Sequence, residues 1–332
     1  MIHMLRVEID PVSPSPEVIA HAARLLRSGR LVAFPTETVY GLGANAIDAS
    51  AVERIYAAKG RPAYNPLIVH VVDHAAARHL ARVWPEQADA LIAAFWPGPL
   101  TLVLPKRPLV PDAVTAGLPS VAVRMPAHPV ARALLAAAEI PIAAPSANRS
   151  MLLSPTTGEH VERSLGASVD LILDAGPTPV GIESTVLDLS SPEPTLLRPG
   201  TITLAEIESV IGPIVNAERR RSGETSPRRS PGMLDRHYAP RGRLLLATTS
   251  DLPLVVLGEA ATARSVGVLL IHAHTDAAHV VQMPNDPLAY ASKLYGALHA
   301  LDDAGCDVIV VERVPDDPEW LAVRDRLSRA AS

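Results

Sequence analysis

Apolar residues recur at helical spacing from residue 16 to 29, PEVIAHAARLLRSG, and the pattern stops at Gly29, a residue suited to the position just past a helix. The period then changes. RLVAF reads as a strand that runs into the polar PTETVY and then GLGANA. DASAVERIYAAKG predicts a second helix, with Asp48 or Ser50 as its N-cap. PLIVHVV is strand-like, whereas HAAARHLARV and PEQADALIAAFW are helical. TLVLPK, SVAVRMP, IPIAAP and VDLILDAG predict buried strands, and STVLDLS with PTLLRPG a further extended pair. Short β-runs alternating with helices up to about residue 212 predict one α/β domain. Residues 216–240, NAERRRSGETSPRRSPGMLDRHYAP, hold no apolar period and are rich in Arg, Ser, Pro and Gly, the composition of a linker. Its arginines could touch RNA or a phosphate, but a solvated linker is the plainer reading. Beyond it, RLLLATT, PLVVLG, SVGVLLIHA and DVIVVERV predict strands, with helices around residues 287–303 and 318–330. This is a second, smaller α/β domain. There is no internal repeat and no low-complexity tract.

Composition narrows the function classes. At 332 residues with 48% apolar content the chain can bury two cores, filled by Leu, Val, Ile and Ala because aromatics are only 3%. The net charge of −5 means that the whole molecule does not attract nucleic acid, so any anion site must be local. A single cysteine, Cys306, excludes an internal disulfide and any multi-cysteine metal site. The stretch MIHMLRVEIDPVSPSPE lacks the apolar core of a signal peptide, and the longest apolar run, around Ala133–Ala144, is interrupted by Glu139 and Pro141. A soluble cytoplasmic protein is therefore expected, with no membrane partner.

The candidate chemistry is cationic and hydroxyl-rich. In KGRPAYNPL, residues 59–67, Lys59 and Arg61 stand two apart, and Pro62 disfavours helix at Arg61. In an extended segment the two would face the same side, where like charges repel unless an anion lies between them. The chain has three lysines; Lys106 and Lys293 lack such a neighbourhood. A solvated basic turn is the bland alternative. In APSANRS, Ser146 and Asn148 can both hydrogen-bond phosphate or carboxylate oxygens, or simply form a turn. Ser154, before Pro155 in SPTT, resembles a helix start. Arg124 in VAVRMP and Arg198 in TLLRPG each end a strand, and Glu183, Ser184 and Thr185 begin one. The hydroxyls of PTETVY either cap backbone groups or bind a ligand at a strand end. GLGANA matches a dinucleotide fingerprint, but the preceding strand and following acid are misplaced, so a glycine turn passing close to a ligand is the better reading. His272, His274, Asp276 and His279 suggest a metal site, with His272 and His274 on one strand face, yet no matching ligand cluster follows. Neither a G-x-S-x-G elbow nor a Walker A motif is present.

FPTETVYGLG, KGRPxxxPLIVH, WPGPLTLVL, VAVRMP, PSANRS…SPTT, DAGPTPVGIESTV, LLRPG and SPGM…HYAP follow one another in an order that resembles the L-threonylcarbamoyladenylate synthase family in its long form, with a C-terminal domain. The resemblance covers about residues 16–240. It implies an α/β fold: a large N-terminal catalytic domain (1–212) with a twisted open mixed β-sheet and flanking helices, a linker lying over the site (213–240), and a smaller Rossmann-like α/β domain (241–332). It implies that threonine and bicarbonate give N-carboxythreonine, whose carboxylate attacks the α-phosphate of ATP, with Mg²⁺, and expels pyrophosphate. The product would serve N6-threonylcarbamoyladenosine formation on tRNA by downstream proteins. Carried over by position, the ATP side is Lys59, Arg61, Asn65, Ser120, Ser146, Asn148, Ser154 and Arg198, with His237 and Tyr238 reaching back from the linker. The threonine side is Thr36, Thr38, Tyr40, His70, Arg124, Ala144 and Ser184. Lys59 and Arg61 would carry the catalytic charge, Arg124 would hold the threonine carboxylate, and no residue would ligate a metal directly.

Two departures stand out. The family usually has glycine after the serine that follows SAN; here Ser150 is followed by Met151, Leu152 and Leu153. The pair after SPGM is usually basic and aromatic; here it is Leu234 and Asp235. Two other readings compete: a tRNA- or RNA-binding protein without catalysis, and a carbamoyl-transfer enzyme of the hydrogenase-maturation kind. The latter should carry an acylphosphatase segment and zinc-finger cysteines, and one cysteine counts against it.

Overall fold

The computed structural model describes residues 5–216, 238–262 and 264–331. These fall into two compact units. The first runs to residue 216, except that residues 151–154 and 180–182 cluster with the second, which otherwise comprises residues 238–331.

The first unit contains β1 (Leu5–Glu8), α1 (Pro16–Arg27), β2 (Val32–Pro35), β3 (Tyr40–Asn45), α2 (Ala49–Lys59), β4 (Ile68–His70), α3 (His74–Leu80), α4 (Glu86–Phe95) and β5 (Leu100–Pro105). It continues with α5 (Asp112–Thr115), β6 (Ser120–Arg124), α6 (Pro129–Ala138), β7 (Ile142–Ala143), α7 (Gly158–Leu165), β8 (Leu171–Asp174), β9 (Thr185–Asp188), β10 (Thr195–Arg198), α8 (Leu204–Ile211) and β11 (Val215–Asn216). The strands form one sheet in the order β1-β8-β2-β3-β7-β4-β6-β5-β9-β10-β11. It is mixed: β4 and β6 run parallel, while β2–β3, β4–β7 and β5–β6 are antiparallel.

Successive strand residues face opposite ways, so a strand covered on both sides is apolar throughout. Along β2, Val32 and Phe34 enter a core with Ile19, Ala22, Ala23 and Leu26 of α1 and Val130, Leu134 and Leu135 of α6. Ala33 enters the opposite core with Leu42, Val52, Ile55 and Leu91. The α1 set is the i, i+3, i+4, i+7 stripe visible in the sequence. Of the two proposed caps of α2, Asp48 does the capping: its side chain accepts from the Ser50 and Ala51 amides.

The second unit contains β12 (Arg243–Ala247), α9 (Leu252–Ala260), β13 (Val266–Leu270), β14 (His279–Gln282), α10 (Pro287–Asp303), β15 (Val308–Glu312) and α11 (Leu321–Ala330). Its sheet, β12-β15-β13-β14, is wholly parallel, as expected of a Rossmann-like domain. Its core includes Ala247, Leu252, Val256, Val268 and Val310.

Four sequence expectations are corrected. PLVVLG lies in helix α9, not a strand; an apolar run of this length fits either period, and Pro253 sits in the first turn, where its missing N–H costs nothing. GLGANA is strand β3, not a turn. A Cβ on Gly43 would meet Phe34 Cε1 at 2.8 Å and Ile142 Cγ2 at 3.0 Å, so this glycine admits a neighbouring side chain to the sheet, not a ligand. The helix after SPTT starts at Gly158, capped by Thr157, so Ser154 does not cap it. His272 and His274 follow the end of β13 and share no strand face; no group of three or more His, Cys, Asp or Glu able to hold a metal occurs among the described residues. No described helix is long and apolar enough to cross a membrane.

Candidate functional site

Lys59 is the last residue of α2, not part of an extended segment. Gly60 closes the helix in the left-handed conformation (φ +59°), and the chain then turns to Arg61. Helix and turn bring both cations inward: Lys59 and Arg61 are buried. The Lys59 ammonium donates to the carbonyl of Ser146 at 2.5 Å and to that of Asn148. The Ser150 amide donates to the Lys59 carbonyl at 2.9 Å, so helix end and SAN turn are tied at both faces. Arg61 Nε donates to the Asn65 carbonyl (3.1 Å) and Nη2 to that of Pro66 (2.9 Å). Burial, followed by the positive charge of Arg61, pushes the Lys59 pKa well below its usual value. Lys106 provides the contrast, since it has the carboxylate of Asp112 at 2.5 Å. The ammonium of Lys59 meets only carbonyl dipoles among the described residues, and an approaching polyanion would supply the missing counter-charge.

A second cluster forms around Arg124, which ends β6 and is buried beside His70, its partner in the β4–β6 register. Arg124 Nη1 donates to Thr38 Oγ1 at 2.9 Å and Nε to the Gly98 carbonyl at 3.2 Å. Its Nη2 lies 2.7 Å from Glu37 Oε1, an ion pair without hydrogen-bond alignment, while Glu37 Oε2 accepts from the Ala127 amide. Glu37 has no role in the sequence reading, although PTETVY contains it. Thr36 Oγ1 donates to the Val39 carbonyl at 2.7 Å and lies 2.8 Å from Thr38 Oγ1. Thus Thr36 caps backbone as a polar-loop residue would, and Thr38 reaches the cation. Burial, with Arg124 second, pulls the His70 pKa down to about 3, so the imidazole is neutral near pH 7.

A third group joins Ser184 and Arg198. Arg198 Nε donates to the Ser184 carbonyl (3.0 Å) and Nη2 to Ser184 Oγ (3.1 Å), which also lies 2.8 Å from Thr101 Oγ1. Arg198, expected on the ATP side, therefore sits against a residue expected on the threonine side. Thr101 gave no signal in the sequence beyond opening a strand.

The remaining candidates separate. Tyr40 is fully buried, with its hydroxyl 2.7 Å from the Gly176 carbonyl and 3.1 Å from Asp174 Oδ1; burial and the Asp174 charge push its pKa up, and its ring and hydroxyl are committed to the fold. Ala144 is buried and pairs through its amide with the Ile68 carbonyl. Ser120 begins β6, four residues or roughly 13 Å along the strand from Arg124, opposite Pro105. Ser154 is buried and belongs with residues 151–154 to the second unit, as does Tyr238. His237, Leu234 and Asp235 lie outside the described residues.

Beyond the Glu37–Arg124 ion pair, the buried Asn65 Nδ2, His70 Nδ1, Ser150 Oγ and Thr178 Oγ1 in the first unit, and Tyr290 Oη in the second, have no hydrogen-bond partner among the described residues. Native proteins rarely leave such atoms unsatisfied, because each costs about 1–3 kcal/mol, so ordered water or a polar ligand is the natural complement. With a neutral His70 and the buried cations Lys59, Arg61, Arg124 and Arg198, the arrangement suits holding anions in position.

Comparison with known proteins identifies the family. The Sua5, YciO and YrdC family model, described as telomere recombination, matches residues 24–200, and the threonylcarbamoyl-AMP synthase C-terminal domain matches residues 202–332. The chain is 44% identical over 316 residues to threonylcarbamoyl-AMP synthase of Pyrococcus abyssi, covering 93% of each chain. It is 45% identical over 330 residues to the Bacillus subtilis protein of the same name, covering 97% of this chain and 95% of the relative. The crystal structure of P. abyssi Sua5 complexed with L-threonine superposes with a TM-score of 0.93 at 42% identity, covering 99% of this chain and 97% of that one.

Proposed function

The chain belongs to the threonylcarbamoyl-AMP synthase family in its two-domain form, and from that premise we propose how its own residues carry the reaction. The activity is that of a nucleotidyltransferase joining a threonine-derived carbamate to AMP, with L-threonine and ATP as substrates. Bicarbonate supplies the carbamate carbon: the threonine amine and bicarbonate combine with loss of water. A carbamate oxygen attacks the α-phosphorus of ATP, the bond to the β-phosphate oxygen breaks, and pyrophosphate leaves. The acyl adenylate then serves threonylcarbamoyl transfer to tRNA by other proteins in the cytoplasm.

Lys59 and Arg61 stabilise charge developing on the α-phosphate and pyrophosphate, as cationic clamps do in phosphoryl transfer. Asn65, Ser146 and Asn148 donate to phosphate oxygens beside them. Arg124 receives the threonine carboxylate, for which its planar fork is suited. Glu37 already engages that guanidinium at 2.7 Å, so it orients the fork before substrate arrives. Arg198 and Ser184 act together, since they are hydrogen-bonded. Mg²⁺ enters bound to the triphosphate. The groups that meet the Lys59 ammonium are carbonyls and not carboxylates, so phosphate oxygens and water would supply most of the metal's ligands.

The observation that carries this reading is the convergence of the buried Lys59 ammonium with the Ser146 and Asn148 turn beside Arg61. It is tested by mixing the chain with MgATP, bicarbonate and single amino acids and measuring pyrophosphate. Release that depends on threonine is expected. Release that ignores threonine, or none at all, overturns the assignment.

A further inference from the structure

Within the first unit, β5 and β9 run parallel, with Thr101 opposite Val186, and Ser184 directly precedes β9. Side chains alternate along β5. Leu100, Leu102 and Leu104 enter the larger core, so Thr101 and Val103 face the other side of the sheet. There Val103 packs with Val186, Leu197, Ile68 and Ala122. In this apolar company Thr101 is completely buried, and its hydroxyl has one partner among the described residues, Ser184 Oγ at 2.8 Å.

The protons give this contact a direction. A hydroxyl donates one proton and can accept two. Arg198 Nη2 can only donate, so Ser184 Oγ accepts from it at 3.1 Å. Thr101 and Ser184 share one contact, so one of their two protons lies within it and the other must go elsewhere. If Ser184 donated, the spare proton would sit on Thr101, deep in the sheet beside Val103 and Val186, at the full cost of an unsatisfied buried donor. If Thr101 donates, the spare proton sits on Ser184 beside a guanidinium, a place suited to an anion. Ser184 Oγ then accepts twice, from Thr101 and Arg198, which fixes the direction of its own O–H and strengthens it as a donor.

We propose that Thr101 is a positioning residue for the reaction: by donating to Ser184 Oγ it turns the serine proton toward an anionic substrate oxygen gathered at Arg198. That oxygen belongs to the threonine carboxylate, to the carbamate or to a phosphate of ATP. Thr101 itself touches no substrate. The inference rests on the reading of Ser184 and Arg198 as substrate-binding residues and adds the residue that orients them.

The test is a double-mutant cycle in the full chain, read by pyrophosphate release. Thr101→Val removes the donor and sets a methyl group where an oxygen now lies 2.8 Å from Ser184 Oγ, so the serine is both released and displaced. It should lower kcat/KM about tenfold, whereas Thr101→Ser, which keeps the hydroxyl, should stay within about twofold of wild type. Combined with Ser184→Ala, Thr101→Val should add no further loss, because it acts only through that serine. A higher KM for threonine assigns the oxygen to the carboxylate, a higher KM for MgATP to a phosphate, and a lower kcat alone to the attacking carbamate. Losses that multiply in the double variant overturn the proposal, as does a Thr101→Val chain within about twofold of wild type. Neutron diffraction from ligand-free, deuterium-exchanged wild-type crystals requires neither a folded variant nor catalysis. Deuterium bonded to Thr101 Oγ1 between the two oxygens is expected, and deuterium bonded to Ser184 Oγ at that place overturns the proposal. A wild-type chain lacking threonine-dependent pyrophosphate release would sink the synthase reading, and the neutron result would still decide the direction of this hydrogen bond.

Discussion

An ammonium has three protons, and Lys59 gives two of them to the carbonyls of Ser146 and Asn148, which leaves one for a ligand oxygen. Burial, followed by the charge of Arg61, disfavours its charged form, and an arriving phosphate would favour it. Arg124 shows the second mode of anion recognition. Arg124→Lys keeps the charge but loses the fork that spans Thr38, Glu37 and Gly98. Steady-state kinetics should show the threonine KM rising by about tenfold or more, with the ATP KM little changed. An equal rise in both would assign Arg124 to general support. For His70 the folded pKa of about 3 lies below the ordinary 6.5. Above pH 6.5 neither state binds the proton; between 6.5 and 3 only the unfolded chain does, so this residue removes stability as the solution is acidified. Its imidazole resonances should not titrate between pH 5 and 8 by NMR, and a midpoint near 6.5 would refute its burial. At this scale the sequence was informative where charge chemistry is rare, as at one lysine in three. It was silent on Glu37, because nothing in PTETVY distinguishes a solvent-facing glutamate from one turned onto Arg124.

Elements explain why some patterns could be read and others misled. The α1 stripe and the Asp48 cap are local: each depends on residues within a few positions, so sequence reports them directly. Lys59 was expected in an extended stretch because Pro62 bars helix at Arg61, but that restriction reaches only one residue back, and Gly60 absorbs the turn. GLGANA misled because the partner that demands its glycine, Phe34, lies on a neighbouring strand. The same reasoning explains a departure from the family. Position 151 is left-handed (φ +72°), which accounts for the glycine usual there, and Met151 occupies it under strain while more than a third exposed. Met151→Gly should therefore raise stability by about 0.5–1 kcal/mol, seen as a higher urea midpoint at unchanged slope, because relief of the left-handed strain outweighs the added freedom of the unfolded chain. A lower midpoint would mean that the methionine side chain contributes packing that its exposure hides.

The molecule as a whole is acidic, with a net charge of −5, yet its proposed chemistry concerns anions. Local geometry resolves this: cations are collected by one helix end, one turn and two strand ends, and are withdrawn from solvent. Bulk charge would give long-range steering that salt screens; buried cations give short-range recognition that salt screens far less. Raising ionic strength from about 0.05 to 0.2 M should therefore change the MgATP affinity by less than about tenfold, measured by calorimetry, well short of the steep losses seen for surface-bound nucleic acid. A steeper loss would place the phosphates on an exposed basic surface. The central claim, that the buried Lys59 and its carbonyl turn form the triphosphate site, is tested most directly by calorimetric titration of MgATP into the wild-type chain and into Lys59→Gln. The variant should bind at least about tenfold more weakly than wild type. Equal affinity in the two would contradict the account.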